Sequence, residues 1–363
     1  MTKQLIIRRG LTLGLLVCSL AAGAQVTSPR VPSPAANVTQ TIGISTVNVN
    51  YSRPAVNGRE IWGKLVPYGW NKQPGYGAGN DDPWRAGANE NTVITFSHAA
   101  TVQGHKVPAG QYGLFFVINQ DNSGEVILSK DNRYWGSFWY DAKNDEMREK
   151  IQVRDLPYST ERLTYTFENL TKNSADLVLT WEKKQFPVKI EYAVDQIVMA
   201  NAADELKTSV GFTPSGYISA ARYSQLNGVD FAQGLKWANQ AVQMNPNYTT
   251  LSLQAALLDS TGNHTEAEKV MKDAMAKATE TELNNYGYTL LGANQFDKAI
   301  AVFKTNVERH PESANTWDSL GEAYALAGDK KNAIINFKKS LSLNPAAPVK
   351  ANSEKYLKQL GAL

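Results

Sequence analysis

The sequence predicts two consecutive domains, an all-β antiparallel sandwich followed by an α-helical solenoid. Three observations predict this order. Apolar and polar residues alternate between residues 25 and 192, as in strands with one buried face. A period of 34 residues recurs towards the end of the chain, which is typical of stacked helical hairpins. The 363 residues are 42% hydrophobic and 20% charged, so the chain is globular and has enough apolar material for two cores.

Residues 1–24 have the pattern of a secretory signal peptide. A basic start precedes an apolar stretch, and Ala22-Gly23-Ala24 forms a small-residue cleavage site. We therefore expect a mature chain that begins at Gln25 and is periplasmic or secreted in a bacterium. The sole cysteine, Cys18, lies within the apolar stretch and is followed by more apolar residues. This context favours cleavage over lipidation and leaves the mature chain without a disulfide.

The charge balance excludes one class of function. Three of the 37 basic residues, Lys3, Arg8 and Arg9, lie in the leader, and the remaining 34 match the 34 acidic residues. A mature net charge near zero argues against general electrostatic binding to nucleic acid or anionic lipid. No later segment approaches the roughly 18 continuous apolar residues that a membrane-spanning helix needs. We therefore expect neither a nucleic-acid partner nor a membrane span.

The segment 25–192 is expected to contain many short strands. Alternating apolar residues mark strands at 47–51, 163–167, 177–181 and 186–190. Turn signals stand at 103–104, 108–110, 121–124 and 172–174. Short strands without a long helix between them predict an antiparallel sandwich of about 160 residues.

The helical half begins with a bridging helix, expected over 193–212, because Ile197, Ala200, Ala203 and Leu206 share one face. The segment 213–363 then reads as about four helical hairpins and a capping helix. The hairpins are expected near 215–248, 248–281, 280–313 and 314–347, with the cap near 349–360.

The last two hairpins carry the same residue types at the same positions. In the last, positions 4, 7, 8, 11, 20, 24 and 32 are Trp317, Leu320, Gly321, Tyr324, Ala333, Phe337 and Pro345. One period earlier they are Leu283, Tyr286, Gly287, Leu290, Ala299, Phe303 and Pro311. This pattern resembles the tetratricopeptide (TPR) repeat. The small residues let two helices approach closely, and the aromatic residues fill the gap to the next hairpin.

The N-terminal half contains a set of short motifs, of which the most specific is Trp84-Arg85-Ala86-Gly87-Ala88-Asn89-Glu90. The others are at 39–43, 51–54, 58–59, 61–63, 65–69, 108–112 and 135–136. In these motifs, residues 28–192 resemble DUF2911, a family of secreted proteins best represented in Bacteroidetes and without an assigned function. The segment 71–83 departs from the family as a Gly- and Asn-rich insertion. If the family block borders a site, this insertion should alter its rim.

Candidate ligand-binding residues of the β domain cluster in its non-strand segments. They are Arg53, Arg59, Trp84, Arg85, Asn89 and Glu90. Arginine forks and aromatic faces suit a sugar or a carboxylate ligand. The alternative is structural, with Arg85 and Glu90 paired to hold the loop and the tryptophans filling the core.

No catalytic motif, cofactor site or metal site is predicted. The sequence has no Gly-x-Ser-x-Gly elbow, His-Glu-x-x-His pair or phosphate-binding glycine loop. His98 and His105 flank a hairpin turn, but no third ligand has suitable spacing. The acidic pairs at 81–82 and 145–146 read as hydrated surface groups, although carboxylates that meet only in space leave a hydrolase open.

The repeats offer a groove lined by the first helix of each hairpin. Its outward positions are expected to include Asn284, Asn285, Tyr288, Asn315, Asp318, Ser319 and Glu322. Such a lining suits an extended peptide, because asparagine both donates to and accepts from peptide groups. A solvated helix face is the alternative.

We therefore interpret the chain as a non-enzymatic protein that binds a protein or peptide of the cell envelope through its TPR groove. The second hypothesis is a carbohydrate- or small-ligand-binding sandwich whose repeats serve oligomerisation. The third is an envelope hydrolase that uses the arginine and glutamate cluster.

Overall fold

The computed structural model describes residues 32–72 and 77–363. The expected signal peptide, Cys18 and the cleavage site before Gln25 lie outside the described residues. The chain divides into two compact units, and the boundary falls between Tyr192 and Ala193.

The first unit is built from short strands. They are β1 (Ala35–Ile42), β2 (Ser45–Ser52), β3 (Asn71–Lys72), β4 (Asp81–Asp82), β5 (Val93–Phe96), β6 (Ala100–Val102), β7 (His105–Val107), β8 (Gly110–Ile118), β9 (Ser123–Ser129), β10 (Asp145–Gln152), β11 (Arg154–Glu168) and β12 (Ser174–Glu191). One sheet has the order β1-β2-β5-β8-β9-β10 and a second has the order β11-β12-β6-β7. All their pairings are antiparallel. The predicted sandwich-like fold is therefore confirmed.

The core of this unit lies between the two sheets. Val49, Ile94 and Phe116 share the inner face of the larger sheet and are almost fully buried. The Phe116 ring lies 5.2 Å, between centroids, from that of Phe186 on β12. The outer face of β8 is also covered, because Phe115 packs with Tyr140. Burial on both faces explains why β8 reads as a continuous apolar run rather than an alternating one.

One strand prediction is wrong. The segments at 177–181 and 186–190, expected as two strands, form the single 18-residue strand β12. The pairing with β11 shifts register around Glu182, whose φ is 51°. This irregularity interrupts the apolar alternation without interrupting the strand, so the alternation reads as two separate strands.

The second unit contains ten α-helices. They are α1 (Val194–Glu205), α2 (Pro214–Asn227), α3 (Phe231–Met244), α4 (Tyr248–Ser260), α5 (His264–Lys277), α6 (Glu280–Gly292), α7 (Phe296–Arg309), α8 (Ala314–Leu326), α9 (Lys330–Ser342) and α10 (Ala347–Gln359). The pairs α2–α3, α4–α5, α6–α7 and α8–α9 are hairpins, and α10 packs against α8 and α9. The predicted helical repeat fold is confirmed.

Small residues permit the close helix contact in the last two hairpins. A side chain at Gly287 would overlap the Phe303 ring, and one at Gly321 would crowd Phe337. Ala299 and Ala333, on the second helices, are fully buried.

The helix α1 is shorter than the expected 193–212. It ends at Glu205, and a 3-10 turn follows at Ser209–Phe212, where Gly211 packs tightly against the Leu206 backbone.

Candidate functional site

The loops of the β unit are anchored on one free edge of β8. β5 pairs with β8 only as far as Gly113. Beyond it, Trp84 and Phe116 exchange two backbone hydrogen bonds of 2.8 and 2.9 Å, and the Gly69 N–H donates to the Ile118 carbonyl at 2.8 Å. The loop segments therefore replace a neighbouring strand, and the sheet holds them in place.

These loops enclose a cavity of about 330 Å³. Its lining combines prolines and two tryptophans, Trp84 and Trp181, with polar side chains. The polar side chains include Arg59, Asp82, Arg85, Asn89 and Ser137. The cavity is partly open, and several polar side chains converge on it, so it is a candidate small-molecule site.

The loop between Trp84 and Glu90 is held in an uncommon conformation. Ala86 and Asn89 have φ values of 54° and 64°, in the left-handed region. The Ala86 carbonyl accepts hydrogen bonds from the Thr92 hydroxyl at 3.1 Å and the Tyr165 hydroxyl at 3.0 Å. Such strain persists only where the surroundings fix it, and it is concentrated at functional sites.

Arg85 is fixed on several sides. Its Nη1 donates to the Asn89 carbonyl at 2.8 Å, and its guanidinium lies 5.4 Å from the centroid of the Phe138 ring. A side chain at Gly136 would overlap the guanidinium. Burial lowers the pKa of Arg85, and the charge of Asp82 opposes this effect.

Asp82 differs from the sequence expectation. It was expected as a hydrated surface acid and is instead buried, with 4% of its surface exposed. Asp82 lies on β4, where it pairs with Asn71 on β3, and it lines the cavity. Burial raises the pKa of Asp82 to about 6, against the opposing effect of Arg85.

The expectation that Asp145 is a hydrated surface acid is also wrong. Its carboxylate accepts hydrogen bonds from Tyr140 and Arg148, and its side chain is only 11% exposed.

Trp181 places an unpaired donor in the cavity wall. The residue is 1% exposed, and its Nε1 has no hydrogen-bond partner. A buried N–H without an acceptor costs roughly 1–3 kcal/mol, so each such group needs an explanation. The sequence predicts Trp181 only as a buried strand residue, because it continues the apolar alternation of Leu177 and Leu179.

Four of the six residues predicted for the β domain line this cavity: Arg59, Trp84, Arg85 and Asn89. Arg53 lies outside the lining and donates to the Leu163 carbonyl and the Thr164 hydroxyl, so it ties β2 to β11. Glu90 is exposed and its backbone pairs with Trp135.

The first helices of the last repeats carry a chain of polar contacts. The hydroxyls of Tyr288 on α6 and Tyr356 on α10 each donate to Glu322 on α8 at 3.0 Å. Burial raises the pKa of Tyr356 to about 12 and raises that of Tyr288 further. This chain fixes α6, α8 and α10 relative to one another.

The expectation that Asp318 and Ser319 face outward is wrong. They are 4% and 1% exposed. Asp318 accepts from the Ser353 hydroxyl at 2.5 Å and from Asn352 at 2.8 Å, both on α10. Burial raises the pKa of Asp318, and these two hydrogen bonds oppose the effect. The helix α10 therefore covers the positions that the preceding hairpin leaves open.

The remaining groove residues are more accessible. Asn285 is exposed and Tyr288 is 37% exposed. Asn315 is half-buried, 3.5 Å from a Glu280 oxygen. The Asn284 Oδ1 is buried without a hydrogen-bond partner. The accessible face of α6 is therefore formed by Asn285 and Tyr288.

Within residues 32–72 and 77–363 there is no group of three His, Cys, Asp or Glu side chains placed to hold a metal ion. His105 lies 3.4 Å from Glu149, and the Ser97 hydroxyl lies 3.0 Å from His98. No helix in the same residues is long and apolar enough to cross a membrane.

Comparison with known families finds a match in each unit. Residues 33–190 match the protein family of unknown function DUF2911, and residues 314–346 match the tetratricopeptide repeat. The expected families and their order are confirmed. The match to DUF2911 includes the whole cavity lining except Pro32.

Curated relatives and solved structures are similar over part of the chain. Superkiller protein 3 of Schizosaccharomyces pombe is 24% identical over 193 residues, and the match spans 47% of this chain but only 14% of that protein. Superkiller complex protein 3 of Mus musculus is 34% identical over 76 residues, 21% of this chain and 5% of that protein. The crystal structure of YrrB, a TPR protein with an unusual peptide-binding site, is 15% identical and covers 44% of this chain and 84% of its own, with a TM-score of 0.28. That of PilW, a type IV pilus biogenesis factor, is 21% identical with coverages of 47% and 80% and a TM-score of 0.30.

Proposed function

We propose that this chain, a DUF2911-matching β unit followed by TPR repeats, is a periplasmic scaffold that binds a protein partner of the cell envelope. TPR arrays serve protein–protein interaction, since their stacked hairpins form extended binding surfaces. In this proposal the partner contributes an extended segment, which binds to the face formed by the first helices of the hairpins. The secretory pattern of residues 1–24 supports the periplasmic location.

The observation that carries this proposal is the accessible polar face of α6, where Asn285 is exposed and Tyr288 is 37% exposed. An exposed asparagine amide can both donate to and accept from a peptide backbone. An extended peptide presents such backbone groups at regular spacing. Tyr288 adds an aromatic surface, held in place by its bond to Glu322.

The test is affinity capture from solubilised envelope with the full mature chain. We expect at least one retained protein whose binding falls about tenfold for the double variant Asn285→Ala/Asn315→Ala, since each removes an amide that can hydrogen-bond to the partner. The control Asn239→Ala removes the same side chain from an exposed position on the second helix α3. It should retain the wild-type amount.

Equal losses in the double variant and the control would contradict the proposal. So would retention of every partner by the double variant together with its loss in a variant of the β cavity. The latter result would transfer binding to the first unit.

A further inference from the structure

The cavity of the β unit has features that the scaffold function does not use. Its walls bring together two arginines and the carboxyl group of Asp82, a residue that is only 4% exposed. The loops of this unit are also anchored through backbone bonds to β8. Charged groups that converge on one concave surface indicate a ligand.

The charge of the walls favours an anion. The charged residues among the described lining are Arg59, Asp82 and Arg85, which give a net charge of +1 when Asp82 is ionised. Arg59 is exposed and uses Nε and Nη2 for the Val56 and Ala55 carbonyls. Its fork is thereby oriented, with Nη1 still available. A planar guanidinium fixed in this way suits a carboxylate.

The surroundings favour a saccharide over a small acid. Trp84 lies in the wall. Two large rings, those of Tyr134 and Trp135, belong to the segment whose backbone pairs with Asn91 and Glu90, next to the cavity residue Asn89. They are 47% and 51% exposed. Large exposed rings beside a cavity mark a binding surface, and flat apolar faces suit the faces of sugar rings.

We propose that this cavity binds a saccharide that carries a carboxylate, with Arg59 and Arg85 holding the acid group and Trp84 contacting the sugar ring. Asp82, which lines the same cavity, accepts from a sugar hydroxyl and selects among saccharides. The ligand class is a uronic acid, free or at the end of a chain.

The test is calorimetric titration of the full mature chain with D-glucuronate, D-galacturonate and D-mannuronate. Each is compared with its neutral parent hexose and with succinate, an acid without a sugar ring. We expect at least one uronate to bind about tenfold more tightly than both comparators, which is the effect of one charge-assisted hydrogen bond or more.

Two variants locate the site. Arg59→Lys keeps the charge and loses the fork, so it should weaken uronate binding about tenfold. Arg53→Lys is the control, because Arg53 lies outside the cavity. It should leave the affinity unchanged.

Absence of uronate binding at millimolar concentration would overturn the proposal. Equal binding of a parent hexose, equal binding of succinate, or equal weakening by Arg53→Lys would do so as well. Circular dichroism of both variants should match the parent, which separates lost binding from lost folding.

Discussion

Arg85 is the residue on which the loop of the β unit depends. It lies between the Asn89 carbonyl, the Phe138 ring and the backbone of Gly136. Gly136 has a φ of 63°, and its lack of a side chain makes room for the guanidinium. The sequence identified Arg85 because it stands in the most specific family block, but nothing local in the sequence links it to Gly136, which is 51 residues away.

We predict that Gly136→Ala destabilises the β unit by about 2–3 kcal/mol, since the new methyl group adds a clash to the backbone strain. Gly58→Ala is the matched control, because Gly58 has a φ of 67° and open space around it. It should cost about 1 kcal/mol. Chemical denaturation followed by tryptophan fluorescence measures both, and equal losses would show that Arg85 adapts to the methyl group.

Asp82 should make stability depend on pH. Its pKa is raised to about 6 in the folded protein from an ordinary 3.8, so the folded state binds the proton more tightly. Stability from this group is therefore present at low pH and is lost as pH rises through about 6. We predict that Asp82→Asn becomes more stable relative to the parent between pH 4 and pH 7. Parallel pH profiles of the two proteins would refute this.

At the scale of elements, the repeats are predictable because their determinants are local. Gly287 with Phe303, and Gly321 with Phe337, lie 16 residues apart within one hairpin, so spacing alone predicts the contact. The strand β12 was divided wrongly, because its irregularity at Glu182 depends on pairing with β11. The outward position of Asp318 was also wrong, because α10 covers it through contacts that a single repeat does not contain.

Ala333→Glu should destabilise more than its own hairpin. Ala333 is fully buried on α9, and a carboxylate there has neither room nor a partner, so we expect a loss of about 3 kcal/mol or more. Because neighbouring hairpins share their interfaces, helix content should fall beyond α8 and α9. Ala301→Glu, at an exposed site on α7, should change stability by less than about 0.5 kcal/mol. Circular dichroism during heating compares them, and matching curves for Ala333→Glu and the parent would show that the assigned register is wrong.

At the scale of the whole molecule, composition and periodicity predicted two units of different class. They could not predict the cavity, which depends on long-range pairing of loops with β8 and on the burial of Asp82. Nor could they show that Trp181 has an unpaired N–H, since burial and partners are properties of the fold.

The signal-peptide pattern of residues 1–24 predicts how the chain is processed. Because the residues after Cys18 stay apolar up to Ala22-Gly23-Ala24, the mature protein should begin at Gln25 and carry no lipid. Mass spectrometry of the intact protein from fractionated cells gives its first residue and any acyl adduct. A diacyl or triacyl group on Cys18 would contradict this prediction, because the protein would then be anchored to a membrane through its lipid.

Photo-crosslinking in intact source cells tests the central claim most directly. A photoreactive amino acid replaces Asn285, exposed on the first helix α6, or Ile335, which is 54% exposed on the second helix α9. The scaffold function predicts a discrete crosslinked protein from position 285 and none from position 335. Crosslinks of equal yield from both positions, or a partner captured only when the group replaces Trp135 of the β unit, would contradict binding through the first helices of the repeats.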